Sequence, residues 1–221
     1  MGERPQGKSG MAPTRPFLFG WHYELALAKI AVALARWGAT PNRLTYASLV
    51  LAIASGVGAG SGSFLIAATC LLASGVFDLL DGSLARATNN TTVYGALLDS
   101  TLDRLSDAAP LMGLIVFFAP SGWIAVIPGI TFVGAYLISY VRARTEALGG
   151  KLPRLWMRRS DRLIMLSIAL LLGAIQLPGV HFRAPLTMLI VAVAGVLNMW
   201  AFIAALSAAR TCLGSESHHA S

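Results

Sequence analysis

The chain has 221 residues, 56% of them hydrophobic and only 12% charged, with a formal net charge of +7. Soluble domains carry about 25% charged residues, which excludes a water-soluble globule. Apolar runs near the length that crosses a bilayer core of about 30 Å predict an all-α, polytopic membrane protein built as one domain. The positive charge comes with no nucleic-acid motif, so no nucleic-acid partner is expected; in a membrane chain it reads as basic loops facing the cytoplasm. Cys70 and Cys212 form neither a CxxC motif nor a metal-ligand spacing and read as inert thiols.

Residues 1–20 are expected as a disordered cytoplasmic tail. From Met1 to Pro16 they mix Gly, Pro, Lys and Arg without periodicity, and no apolar core with a small-residue cleavage site follows, so this is not a secretory signal. A single membrane-embedded domain is expected over 21–210. It opens with an interfacial amphipathic helix at 21–37, whose apolar core between Glu24 and Arg36 is too short to span. Lys29 and Arg36 share one face of it, and Trp21 and Trp37 stand at its ends.

Pro41 suits the first turn of the next helix. Six transmembrane helices are expected at about 44–58, 64–85, 93–118, 123–141, 163–177 and 185–208, with Pro110 as a candidate kink in the third. The polar residues 211–221 are expected as a disordered tail. Six crossings place both termini on one side. Apart from Arg183, the Lys and Arg residues fall in the N-terminal tail, at inner span ends, or in the loops after the second and fourth spans. The positive-inside rule makes that side cytoplasmic. No internal repeat supports an inverted-repeat transporter.

The chemistry concentrates between the second and third spans. Asp78 and Asp81 are three residues apart and share a helix face; Asp99 and Asp103, four apart, share another, with Asp107 one turn on. A carboxylate at mid-bilayer costs roughly 2.5–3.5 kcal/mol, more when crowded against its like. A divalent cation resolves this, and an oxygen-only ligand set suits Mg²⁺, Mn²⁺ or Ca²⁺. Salt bridges to Arg86 and Arg104 are the structural alternative, though the carboxylates outnumber those partners. Cation or proton transport along intramembrane aspartates is the alternative from another class, with no acidic residue in the fifth or sixth span to extend a path. Arg158, Arg159 and Arg162 crowd a helix start, where the dipole disfavours cations; they suit a phosphate ligand better.

The spacing Asp-x2-Asp-Gly-x2-Ala-Arg-x8-Gly-x3-Asp-x3-Asp, from Asp78 to Asp103, resembles the signature of the CDP-alcohol phosphotransferase family, integral membrane enzymes that make phospholipids from CDP-activated lipids. The resemblance implies transfer of a phosphatidyl group, or an ether analogue, from a CDP-lipid to an alcohol hydroxyl, with release of CMP. Asp78, Asp81, Asp99 and Asp103 would hold one or two Mg²⁺ or Mn²⁺ ions, and Asp103 would also be the general base. Gly82, Ala85 and Gly95 would let the nucleotide approach, with plain helix packing as the other reading. Arg86 would contact phosphate or cytidine. Asn42 and Thr45 would reach the cytidine or, alternatively, cap a helix. Arg104 and Asp107 would support the aspartates from behind.

Leu98 to Asp107, Ser139 to Arg144 and the Arg159-x2-Arg162 pair resemble the phosphatidylinositol-phosphate and archaetidylinositol-phosphate synthase branch. By that resemblance Ser139, Arg142, Arg159, Arg162 and Arg210 would grip the phosphate of inositol phosphate. Ser160-Asp161 departs from the Pro-Glu of that branch, which keeps glycerol 3-phosphate and serine open as acceptors. The family also implies a homodimer with one active site per protomer.

Overall fold

The computed structural model describes residues 27, 29–88, 91–153, 156–175 and 182–217, with side chains placed as far as 214. These residues form helices and no strand. Helix α1 covers 29–36, followed by α2 (Pro41–Gly60), α3 (Phe64–Ala87), α4 (Val93–Phe118), a 3₁₀ turn (Ala119–Ala125), α5 (Val126–Ala147), α6 (Arg159–Gly173) and α7 (Pro185–Ser217). The tail expected at 1–20 lies outside the described residues, as does most of 21–28.

Among the described residues, four stretches are long and apolar enough to cross a membrane: Pro41–Gly60, Phe64–Ala87, Val93–Ala147 and Pro185–Gly214. The third holds both α4 and α5, parted by the 3₁₀ turn, where Gly122 takes φ 66° and ψ −130° to redirect the chain. Helix α6, with 15 residues, is shorter than the roughly 20 that a perpendicular crossing requires. The protein is an integral membrane protein, and its described residues form helices without a strand.

Local chemistry explains where helices differ from the expected spans. Helix α2 starts at Pro41, placed at N1 behind an extended Thr40. Helix α6 starts at Arg159 rather than near 163, because the Arg158 amide donates to Asp161 Oδ2 at 2.9 Å and closes the first turn around the arginines. It ends correspondingly early, at Gly173. Helix α5 continues through Arg142 and Arg144 to Ala147, arginine being a good helix former. Helix α7 runs to Ser217, so the stretch from 211 read as a disordered tail is helical that far. Pro110 sits inside α4 without ending it.

Small residues set how closely the helices approach. A Cβ on Gly113 of α4 would lie 2.0 Å from the Gly56 carbonyl oxygen of α2, and one on Gly56 would lie 2.4 Å from that of Ala109. Backbones this close gain dispersion contacts that lipid cannot supply. Helices α2, α3 and α4 form one packed group; α5 lies along α7, and α6 joins them by touching α3 and α7. Phe64, Leu71, Leu114, Phe118, Leu170 and Val191 fill the main apolar core. Interhelical hydrogen bonds fasten the two groups internally: Ser48 Oγ to the Ser74 carbonyl at 3.0 Å, and Asn198 Nδ2 to the Thr131 carbonyl at 3.1 Å. Ala31, Leu34 and Ala35 of α1 seat on Leu44, Leu80 and Leu84 at one end of α2 and α3.

Candidate active site

Helices α3 and α4 bring their carboxylates together at the end of the bundle where α1 is seated. Asp78, Asp99 and Asp103 each place one carboxylate oxygen within 4.8 Å of the others. Helical spacing accounts for it: Asp99 and Asp103 stack one turn apart on α4, facing Asp78 on α3. Asp81 stands outside this trio. It is 5% exposed, and its Oδ2 is buried with no hydrogen-bond partner among the described residues.

The ion pairs run to α6, not to Arg86 and Arg104. Arg159 Nη1 donates to Asp78, Nη2 lies 3.0 Å from Asp103 Oδ1, and Nε lies 3.5 Å from Asp107 Oδ1. Arg162 Nη2 donates to Asp107 Oδ2 at 2.8 Å. Arg86 Nη2 instead reaches Ser83 Oγ at 3.3 Å, and Arg104 Nη1 donates to the Ser100 carbonyl. Arg104 follows Asp103 by one residue, a rotation of about 100° that turns it off the aspartate face. Asp107 is thus the residue that holds both α6 arginines.

Two cavities flank the carboxylates. The smaller, about 180 Å³, is lined by Asn42, Thr45, Asp81, Gly82, Ala85, Arg86, Gly95 and Asp99. These are the residues expected to meet the CDP-lipid, together with two of the aspartates. The helix-cap reading of Asn42 and Thr45 does not hold: the N-cap position of α2 is Thr40, and Thr45 Oγ1 donates to the Pro41 carbonyl at 3.1 Å. Gly95 lies so close to the Thr92 hydroxyl, which accepts its amide, that a Cβ there would come to 2.9 Å.

The larger cavity, about 610 Å³, is walled by Asp103, Arg104 and Asp107 on one side and by Ser139, Arg142, Arg158, Arg159 and Arg162 on another. Asp99 therefore lines one cavity and Asp103 the other, so that the carboxylate trio borders both. Four of the five residues expected to grip a phosphate line this space. Arg210 does not: it is exposed on α7, one residue past the buried Ala209 and so turned away from the bundle.

Glu146 and Met157 also line the larger cavity and were not singled out from the sequence. Glu146 was findable, since Ser139, Arg142 and Glu146 follow i, i+3, i+7 spacing on one face of α5. Met157 carries no such signal, lying in the segment before α6.

Charge and chemistry of the site fit a divalent cation. Asp78, Asp81, Asp99, Asp103 and Asp107 are five carboxylates, and only Arg159 and Arg162 pair with them among the described residues. A buried, unpartnered Asp81 oxygen and an all-oxygen donor set are what Mg²⁺ or Mn²⁺ requires.

Comparison with known proteins agrees with this geometry. The family model for CDP-alcohol phosphatidyltransferase matches residues 38–208. An archaetidylinositol phosphate synthase of Pyrococcus horikoshii is 36% identical over 163 residues, covering 73% of this chain and 84% of that protein. A phosphatidylinositol phosphate synthase of Mycobacteroides abscessus is 34% identical over 177 residues, covering 77% and 78%. The crystal structure of Mycobacterium tuberculosis phosphatidylinositol phosphate synthase with CDP-DAG bound superposes with a TM-score of 0.75 at 28% identity, covering 84% of this chain and 94% of that one. The same enzyme in complex with manganese and citrate gives a TM-score of 0.73 over 84% and 89%. With its carboxylate signature intact and its helices arranged as in a solved synthase, this chain belongs to the CDP-alcohol phosphatidyltransferase family.

Proposed function

We propose that the protein transfers a phosphatidyl group, or its ether analogue, from a CDP-lipid to a hydroxyl of inositol phosphate and releases CMP. One observation carries this reading: the carboxylate trio borders both a small cavity lined by the signature residues and a larger one lined by arginines. That arrangement suits a donor pyrophosphate on the Asp81 and Asp99 side and an acceptor on the Asp103 side. Asp78, Asp81, Asp99 and Asp103 would hold the divalent ion, which supplies charge neutralisation on the phosphates and polarises the reacting phosphorus.

The chain's own groups do the rest. Asp103 lines the acceptor cavity and takes the proton of the attacking hydroxyl. The acceptor oxygen bonds to the lipid-side phosphorus as the bond to the CMP oxygen breaks. Gly82, Ala85 and Gly95 leave room for the nucleotide, and Arg86 offsets charge beside it. Ser139, Arg142, Arg159 and Arg162 orient the acceptor phosphate; guanidinium forks match phosphate geometry. Glu146, an acceptor-only group among arginines, suits the further hydroxyls of a polyol. Serine would leave the arginines without a phosphate, and glycerol 3-phosphate would offer Glu146 fewer hydroxyls. The names of the synthases described above support inositol phosphate in the same way.

Six membrane crossings by α2 to α7, with the site and both termini on the cytoplasmic side, complete the proposal. The distribution of basic residues supports that orientation. The family resemblance supports a homodimer with one active site per protomer. The test is CMP release by the purified protein with CDP-diacylglycerol, Mn²⁺ or Mg²⁺ and a panel of acceptors, each product lipid being identified. Inositol phosphate should be the best acceptor, and EDTA should stop the reaction. Release of CMP with glycerol 3-phosphate or serine but not inositol phosphate would refute the acceptor, and none with any would refute the function.

A further inference from the structure

We propose that Met157 is a positioning residue: its buried side chain pins the segment entering α6, so that Arg162 points into the larger cavity. The inference rests on the reading of that cavity as the acceptor site.

Met157 has φ 56°, a left-handed backbone at a residue that is not glycine. Methionine has no short polar side chain to compensate this conformation locally, so tertiary contacts must hold it. Those contacts are present. The side chain is 8% exposed and packs in a cluster with Ile138 of α5 and Ala201 of α7, bordered by Met165, Leu197 and Phe202. The ring of the preceding Trp156 meets that of Trp200 on α7 edge to face, with centroids 6.1 Å apart. The segment is therefore fastened to the α5 and α7 pair on its apolar side.

On its polar side the same residue holds the site. The Met157 carbonyl accepts a hydrogen bond from Arg162 Nη1 at 2.9 Å, while Nη2 of that guanidinium reaches Asp107 at 2.8 Å. One arginine is thus gripped from two directions, and one grip is a backbone oxygen whose place depends on a left-handed residue. The next residues, Arg158 and Arg159, enter α6 immediately afterwards, and Arg159 spans Asp78, Asp103 and Asp107. A core plug with no further role would matter for folding alone; this one sets the direction of the Arg162 guanidinium.

Steady-state kinetics of the full-length enzyme, with CDP-diacylglycerol and inositol phosphate each varied, test this. Met157→Ala should raise the KM for inositol phosphate roughly tenfold and change that for CDP-diacylglycerol by less than about twofold, as expected when orientation is lost at one substrate. Met157→Leu, which refills the apolar cluster, should stay near the parent. Met157→Gly, which accepts the left-handed backbone but deletes the anchor, should fail as alanine does. In an Arg162→Ala background, Met157→Ala should add less than about twofold, because both act on one contact. If Met157→Ala does not purify, Met157→Gly, which adopts φ 56° without strain, is read in its place.

Equal changes in both KM values, a glycine variant that matches the parent, or additivity in the double variant would overturn the inference. The controls separate it from the acceptor reading. If Arg162→Ala leaves the KM for inositol phosphate unchanged, the acceptor site itself is wrong. If Arg162→Ala raises that KM and Met157→Ala does not, only the role of Met157 is wrong.

Discussion

Asp78, Asp99 and Asp103 converge because two helical repeats face each other, yet Arg159 threads its guanidinium between Asp78 and Asp103. A cation bound by the trio and the arginine compete for the same oxygens, which ties the metal site to the acceptor side through one side chain. Asp99 makes no ion pair among the described residues and serves as the cleanest probe of the metal. Asp99→Asn should lower the rate of CMP release about a hundredfold or more while leaving the unfolding midpoint in detergent near that of the parent, since only transition-state charge stabilisation is lost. Arg142 lines the larger cavity without contacting an aspartate, so Arg142→Ala isolates acceptor binding. It should raise the acceptor KM by roughly tenfold with little change for the CDP-lipid, read from initial rates with each substrate varied. Residue spacing made the four signature aspartates legible in the sequence, because the i, i+3 and i, i+4 rules act within one helix. Arg159 and Arg162 were singled out as phosphate ligands, but their pairing with Asp78, Asp103 and Asp107 was not foreseen, because it depends on how α6 packs on α3 and reaches toward α4. Arg210 is exposed and lies outside the lining of the larger cavity, which its sequence position does not reveal, because a basic residue at an inner helix end looks the same whether it faces a cavity or solvent.

At the scale of elements, the α2–α4 crossing fixes where the α4 aspartates stand relative to α2 and α3. Gly113 meets the Gly56 backbone with no space for a methyl group. Gly113→Ala should force the helices apart, lowering stability by about 1–3 kcal/mol as overpacking does. A drop in the detergent unfolding midpoint checks it, and an unchanged midpoint would show that the crossing is looser than described. Helix starts were legible where proline marks them, as at Pro41. The start of α6 was placed too late because hydropathy rises only after Arg162, whereas the Asp161 cap closes the helix from Arg159. The end of α7 was placed too early for the complementary reason: polarity increases after Arg210, but nothing there breaks a helix before Ser217. Crossing angles and the pairing of α5 with α7 have no local signature, because they arise from side chains distant in sequence.

For the whole molecule, the proposed orientation turns the carboxylate end of this membrane enzyme toward the cytoplasm. In a chain with Cys70 and Cys212 replaced by alanine, Lys151→Cys should react with an impermeant thiol reagent only after the membrane is opened. Arg183→Cys should react in intact cells; the reverse pattern would invert the orientation. The proposed chemistry requires a divalent ion shared by helices α3 and α4. Anomalous scattering from crystals grown with Mn²⁺ measures this directly. The account predicts a peak about 2 Å from carboxylate oxygens of Asp78, Asp99 and Asp103, with Arg159 displaced from between them. A peak bound elsewhere, or no peak with Arg159 still held by Asp78 and Asp103, would contradict it.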